Sequence, residues 1–396
     1  MLVYSFGCLK MTTGAVGVAA IPYLLVEMTP EYLASAESGV TSAEYSPDGS
    51  HLLVTYRIRN RSDVYRVSLD GETWTALTND GFSSSAVYSP DGSQIAFCMG
   101  RGPRRAALHV MNVDGSGVRK LTQGRRDVVT PQFSPDGNHI VFSSWDQDGY
   151  SDIRLFDLAT GQTTQLTRMK SVYDSKPVFV PDGETILFAR STYERPRPKV
   201  AKTWKKEIYT VRLDGTNLRV VPHTLGMAVG GRSVDAANSY VVHGDRLLEV
   251  NSVVAKRLAS HGVSLLAATE LPIDLDNIVS YAVSLDARHA IAFKPPTRHG
   301  RKTGDSFDCI VYRHDIEAGE SHELLRREYA VSNLRYAPDG ETAIFIVHGA
   351  GPPQTTSHSK HHRELWVSTP TGALRRIDTQ FPGSPKWVLK PGRVKT

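Results

Sequence analysis

The chain of 396 residues has little cysteine, no long apolar run and none of the short motifs that announce catalysis. Its three cysteines, Cys8, Cys98 and Cys309, are odd in number and far apart. That excludes a disulfide framework and a thiolate zinc site, and leaves isolated buried thiols. No apolar stretch approaches the roughly 18 residues needed to cross a bilayer as a helix, so no transmembrane segment is expected. HExxH, P-loop and GxSxG patterns are all missing, and no catalytic residue stands out. Histidines cluster only at His358, His361 and His362, in a loop whose one neighbouring carboxylate is Glu364. A solvated basic loop explains that run, so neither a metal nor any other cofactor is expected.

Hydrophobic residues make up 40% and charged residues 22%, as in ordinary globular proteins. The net charge of +5 and pI of about 9.0 are mildly basic, so the placement of charge matters more than its sum. Near the N-terminus, Lys10 precedes an apolar stretch from Gly14 to Val26, and Ala34-Ser35-Ala36 would suit a signal peptidase. Glu27 and Glu31 interrupt that arrangement and lengthen it beyond an export signal. The expectation is a soluble, cytoplasmic protein rather than a periplasmic or secreted one.

What the chain does contain is a repeat. Tyr45-Ser-Pro-Asp-Gly49, Tyr88-Ser-Pro-Asp-Gly92, Phe133-Ser-Pro-Asp-Gly137, Phe179-Val-Pro-Asp-Gly183 and Tyr336-Ala-Pro-Asp-Gly340 share one pattern. Ser233-Val-Asp-Ala236 and Ser284-Leu-Asp-Ala287 are weaker copies, and the seven Asp positions follow one another at 43 to 53 residues. Serine accepts backbone bonds, proline presets φ, and glycine supplies the left-handed residue that closes a hairpin. A strand follows each turn, among them His51–Tyr56, Gln94–Met99, His139–Ser144 and His289–Lys294. Asp70-Gly71, Asp114-Gly115 and Asp214-Gly215 mark a second hairpin in each unit, followed by a short segment that often ends in Leu-Thr. Each unit thus reads as strand A, SPDG turn, strand B, loop, strand C, DG turn, strand D.

One such sheet cannot bury both of its faces, so the units must stack around an axis. The expected fold is all-β: a single β-propeller over residues 1–396 with four-stranded antiparallel blades. Eight blades are favoured, with segments 1–40 and 383–396 sharing the closing one. Seven blades are the alternative if the degenerate Ser233–Ser260 region is an insertion.

The SPDG hairpin, the DG turn and the Leu-Thr ending resemble the TolB-like propeller repeat, a cousin of the WD repeat. The resemblance is clearest over 40–220 and 330–372. It implies the fold but not the function, because the repeat occurs in periplasmic adaptors, in propellers attached to serine peptidases and in a few propeller lyases. The absent GxSxG elbow speaks against the peptidase reading, and the absent histidine set against a metal-dependent lyase.

The B–C loops carry the remaining signal. In a propeller they share one face with the D–A connections, opposite the SPDG and DG turns. The loop charge is +6 over 190–206, +3 over 99–106 and over 294–306, +2 over 57–63 and over 348–363, and −2 over 144–151. These loops together carry +14 and the remainder of the chain −9. The binding candidates are Arg59 and Arg61; Arg101, Arg104 and Arg105; Arg195, Arg197, Lys199, Lys202, Trp204, Lys205 and Lys206; and Arg301 and Lys302. A basic face attracts anions. The expectation is a monomeric, non-catalytic scaffold that docks an acidic protein or peptide. Alternatives are a lyase acting on an anionic polysaccharide and a binder of nucleic acid or of an anionic surface.

Overall fold

The computed structural model describes residues 38–100, 106–123, 127–146, 148–179, 183–194, 203–220, 239–243, 246–250, 280–283, 288–294, 309–315, 318, 320–327, 331–348 and 363–377, with no helix among them. Repeat 1 comprises β1 (Ser38–Tyr45), β2 (His51–Ile58), β3 (Arg61–Ser68) and β4 (Trp74–Ala76). Repeat 2 comprises β5 (Ser83–Tyr88), β6 (Gln94–Met99), β7 (Ala107–Asn112) and β8 (Arg119–Lys120). Repeat 3 comprises β9 (Val128–Phe133), β10 (His139–Trp145), β11 (Ser151–Asp157) and β12 (Thr163–Gln165). Repeat 4 comprises β13 (Val172–Phe179), β14 (Thr185–Glu194), β15 (Thr203–Arg212) and β16 (Arg219–Val220). The fifth is described only as a hairpin, β17 (Ser239–His243) and β18 (Arg246–Val250). The sixth is β19 (Ser280–Val283), β20 (His289–Lys294), β21 (Cys309–Asp315) and β22 (Glu320–Arg327). The seventh is β23 (Val331–Tyr336), β24 (Ala343–His348), β25 (Arg363–Ser368) and β26 (Leu374–Arg376). Every four-stranded unit is an antiparallel A-B-C-D meander, as the repeat predicts.

The turn chemistry is visible atom by atom. Ser46 O accepts the Gly49 N–H at 2.8 Å. Ser46 Oγ accepts the His51 N–H at 3.0 Å and donates to Asp48 Oδ1 at 2.5 Å. Gly49 has φ +74°, which a side chain would strain. The same bonds recur around Ser89, Asp91 and Gln94, and around Ser134, Asp136 and His139. These hydroxyl and backbone donors hold Asp48 down to about 2, so the motif aspartates serve the turn. The Leu-Thr ending also has a structural role: the Thr78, Thr122 and Thr167 hydroxyls accept the N–H groups of Val64, Leu108 and Ile153 at 2.9–3.0 Å. The hydroxyl satisfies strand C where strand D ends.

Consecutive sheets dock through the same turns. A Cβ on Gly92 would lie 3.6 Å from Pro47, and one on Gly137 3.8 Å from Pro90. On the second hairpin, a Cβ on Gly115 would lie 3.1 Å from the Leu77 carbonyl, and one on Gly215 3.5 Å from that of Leu166. Strand C of one repeat bridges in parallel to the start of the next, through Ser62–Phe82 and Ser151–Tyr173. Apolar clusters fill the spaces between sheets, for example Leu53, Val64 and Leu77 with Tyr88, Ile95 and Phe97. Cys98 is a buried free thiol in this core, as expected.

The seventh repeat packs on the first by the same contacts. Gly39 bridges in parallel to Arg363 and joins the two into one eight-stranded sheet. A Cβ on Gly49 would meet Pro338 at 3.4 Å, and one on Gly71 would lie 2.5 Å from the Ile377 carbonyl. Asn333 Nδ2 donates to Ala43 O at 2.7 Å, and Leu52, Val54 and Val67 share a core with Ile344, Ile346, Leu365 and Ile377. Repeats 7 and 1 are thus in direct contact where the sequence pattern places an eighth blade. Residues 38–40 belong to β1. The rest of segments 1–40 and 383–396 lies outside the described residues.

The inner strands carry a feature that the motif does not announce. Ser85, Thr130, Lys176 and Asn333 have φ of +53° to +56° at a bulge three residues before the motif aromatic. Each bulge lies opposite a fully buried phenylalanine: Phe97, Phe142, Phe188 and Phe345. The extra residue lets strand A curve around that ring.

Replacement of a turn glycine separates local strain from docking. Gly161→Ala, at φ +70° with nothing within 4 Å, should cost about 1 kcal/mol from the left-handed conformation alone. Gly71→Ala adds a clash with Ile377 and should cost about 2–4 kcal/mol by urea unfolding. Equal losses would mean that repeats 7 and 1 do not touch in solution.

Candidate binding face

The β2–β3 connection is a two-residue turn, Arg59-Asn60, with Ile58 paired to Arg61 and Arg59 at φ +55°. Arg57, Arg59 and Arg61 are exposed on this hairpin, and the Arg61 guanidinium lies 5.3 Å from the centre of the Phe82 ring. Asp63 differs from them: it is wholly buried and accepts the Thr78 hydroxyl at 2.9 Å and the Gly81 N–H at 3.1 Å. Burial outweighs those bonds and pushes its carboxyl up to about 6.

The segment expected as a loop over 190–206 is mostly strand. Ten-residue β14 and β15 pair throughout, from Thr185–Arg212 to Glu194–Thr203, so the connection is only 195–202. Residues such as Ile186, Phe188, Thr192 and Tyr193 against Trp204, Ile208, Tyr209 and Val211 carry the hairpin up to the Pro-containing connection. Arg190 therefore lies inside the sheet, 3% exposed, not on a solvated face. Its Nε and Nη2 bond both Asp174 oxygens at 2.7 Å, and its guanidinium sits 4.5 Å from the Tyr209 ring centre and 5.4 Å from that of Phe188. The pair holds the Arg190 charge more firmly than in water. Removing buried Arg190 and buried Asp63 from the loop count leaves the +14 unchanged, because their charges cancel.

Trp204, Lys205 and Lys206 are on β15, paired with Tyr193, Thr192 and Ser191. Arg101, Arg104, Arg105, Arg195, Arg197, Lys199, Lys202, Arg301 and Lys302 lie outside the described residues, as do His358, His361 and His362. Glu364 is buried on β25, accepting from Arg376 Nη1 at 2.6 Å and Trp366 Nε1 at 3.0 Å. Among the described residues no cluster of side chains suits a metal ion.

Sequence reading missed an aromatic group on the same face. Trp145 and Tyr150 flank the β10–β11 turn and Tyr173 begins β13. Tyr173 lies 5.7 Å from Trp145 and 5.4 Å from Tyr150 between ring centres, and all three are half-buried. The turn is held by the Asp146 N–H bonding Tyr150 O at 2.7 Å and by the Tyr150 N–H bonding Asp146 Oδ1 at 2.9 Å. Below, Asp152 accepts from Gln165 Nε2 at 2.7 Å, and burial together with the nearby Asp174 raises its carboxyl. The available signal was aromatic residues at both ends of a short B–C turn and at the next strand start.

Meander sheets that dock by turn contacts define an all-β propeller assembly, with its loops as the variable surface. The chain belongs to the TolB beta propeller domain family, whose model matches residues 25–228. It is 32% identical over 167 residues to the uncharacterized protein Atu1656 of Agrobacterium fabrum, covering 37% of this chain and 53% of that one. It is 36% identical over 101 residues to the Tol-Pal system protein TolB of Anaeromyxobacter dehalogenans, covering 26% and 23%. The chain thus spans about half or less of the length of these relatives. A solved structure from a study of two prolyl endopeptidases shares the fold at TM-score 0.54 and 16% identity, over 89% of this chain and 52% of that one. No helix among the described residues is long and apolar enough to cross a membrane.

The two buried acids give separate tests. Asp63 has a folded pKa above its unfolded 3.8, so its contribution is whole below about pH 4 and lost as pH rises through about 6. Two units amount to about 3 kcal/mol, so the wild type should lose roughly that much relative to non-titrating Asp63→Asn between pH 4 and pH 7, read by urea unfolding. A flat difference would refute the raised pKa. Arg190→Leu strands the Asp174 carboxylate and should cost about 3–5 kcal/mol, whereas Asp174→Leu with Arg190→Leu should cost less than the single change.

Proposed function

We propose that this chain is a non-catalytic binding propeller, a monomeric ring of seven blades that docks an acidic protein or peptide on its B–C face. The observation that carries the reading is the one-sided charge: +14 on the B–C connections and the strand ends beside them against −9 elsewhere, unaltered once buried Asp63 and Arg190 are removed. Arg57 and Arg59 stand exposed at one hairpin tip, and Arg195, Arg197, Lys199 and Lys202 occupy the connection that joins the paired ends of β14 and β15. The contact of repeat 7 with repeat 1, of the kind that joins repeats 1 and 2, supports the seven-bladed reading. The expected preference for the cytoplasm has no support among the matched relatives, which include Tol-Pal system TolB proteins.

The test compares the wild type with a variant carrying Arg57→Glu, Arg59→Glu, Arg195→Glu and Arg197→Glu. Binding of a fluorescent polyglutamate peptide, single-stranded DNA and polygalacturonate is measured at two salt concentrations. Tightest binding of polyglutamate, weakened about tenfold or more in the variant, is the expected result. Equal binding by both proteins would overturn the face. Preference for DNA with a steep salt slope, or turnover of the polysaccharide, would replace the acidic-peptide reading.

A further inference from the structure

The geometry points to a cation-binding subsite within that face: Trp145, Tyr150 and Tyr173 seat an arginine or lysine side chain of the docked peptide, with Asp146 and Asp148 as its counter-charge. This rests on the docking reading above and specifies a second element of the partner, one basic anchor within an acidic segment.

Three observations carry it. The first is preorganisation. The Asp146–Tyr150 bonds close the turn in both directions, Gly149 at φ +87° completes it, and the Ser151–Tyr173 bridge ties the third ring to the turn. Rings held in this way lose little entropy on binding. The second is exposure: all three rings remain partly open to solvent, on the face where the other charged hairpins end. Aromatic faces attract cations, arginine above all.

The third observation is sign. The connection over 144–151 carries −2, whereas every other charged B–C connection is positive. Asp148 is exposed and Asp146 half-buried at the rim of the rings. The nearby cations are engaged by other groups. Arg190 is locked on Asp174, while Arg154 and Arg168 each donate to Gln165 Oε1, at 3.1 and 3.3 Å. A sugar would also stack on these rings, but it would gain nothing from the aspartates' charge.

The full chain, labelled with 15N-tryptophan, is titrated with N-acetyl-arginine amide, N-acetyl-lysine amide, N-acetyl-norleucine amide and maltohexaose. The Trp145 indole signal is assigned with Trp145→Phe. Arginine amide should shift that signal saturably, with half-saturation about fivefold or more below norleucine amide. Asp148→Asn, a surface change, should weaken arginine about threefold and leave norleucine unchanged. Polyglutamate binding should survive Asp148→Asn and respond to Arg59→Glu, so failure of the subsite and failure of the basic face are told apart. Norleucine or maltohexaose binding as well as arginine, or an Asp148→Asn variant that binds arginine like the wild type, would overturn the subsite.

Discussion

The structure depends on one repeated contact, a turn glycine lying against the preceding sheet. Gly92 meets Pro47, Gly137 meets Pro90, and Gly115 meets the Leu77 carbonyl at a distance that barely admits a Cβ. The SPDG turns at Gly49, Gly92 and Gly137 therefore both close their own hairpins and dock on a neighbour, so proline and glycine act together there. At Gly115 and Gly215 the DG turn meets the Leu-Thr end of the preceding sheet, so the second half of those repeats is coupled in the same way. Repeats joined only to their neighbours hold together through the sum of such interfaces. The bonding of repeat 7 to repeat 1 through Gly49, Gly71 and Gly39 means that neither of these sheets keeps an exposed face at that joint.

Strand order and the role of the motif aspartates were legible in the sequence, because local turn chemistry determines them. Gln94–Met99 and His289–Lys294 are strands with the bounds read from the preceding turn and from β-branched and aromatic content. The contact between repeats 7 and 1 was not legible. It depends on Asn333 reaching Ala43 across 290 residues, and no local pattern encodes such a contact. The inner-strand bulges escaped for a related reason. Ser85, Thr130, Lys176 and Asn333 share no side-chain chemistry, and what unites them is the phenylalanine opposite, a cross-strand property.

The proposed binding face was read from charge, and two of its residues were misjudged. Arg190 looks like the first cation of a basic loop, yet it pairs across β13 and β14 with Asp174, whose acidity is invisible until the register is known. Asp63 looks like a partial counter-charge for Arg59 and Arg61, yet it is turned inward to hold Thr78 and Gly81. Both errors have the same cause. A formal charge at a strand end is assigned to solvent or core by strand alternation and by the hydrogen bonds available inside, and a loop-by-loop count knows neither.

This division gives the propeller its latitude. The groups that dock one sheet on the next lie on the SPDG and DG turns, at the face opposite the B–C connections, and in the apolar layers between sheets. Arginines at the tip of β2–β3, or aromatic rings around the β10–β11 turn, can change without touching those contacts. The exceptions are Asp63 and Arg190, which stand at the boundary and belong energetically to the core, because an unpaired buried charge costs far more than a solvated one contributes. A surface partner should therefore be sought among the outer residues of this face, with those two as the fixed floor on which they stand.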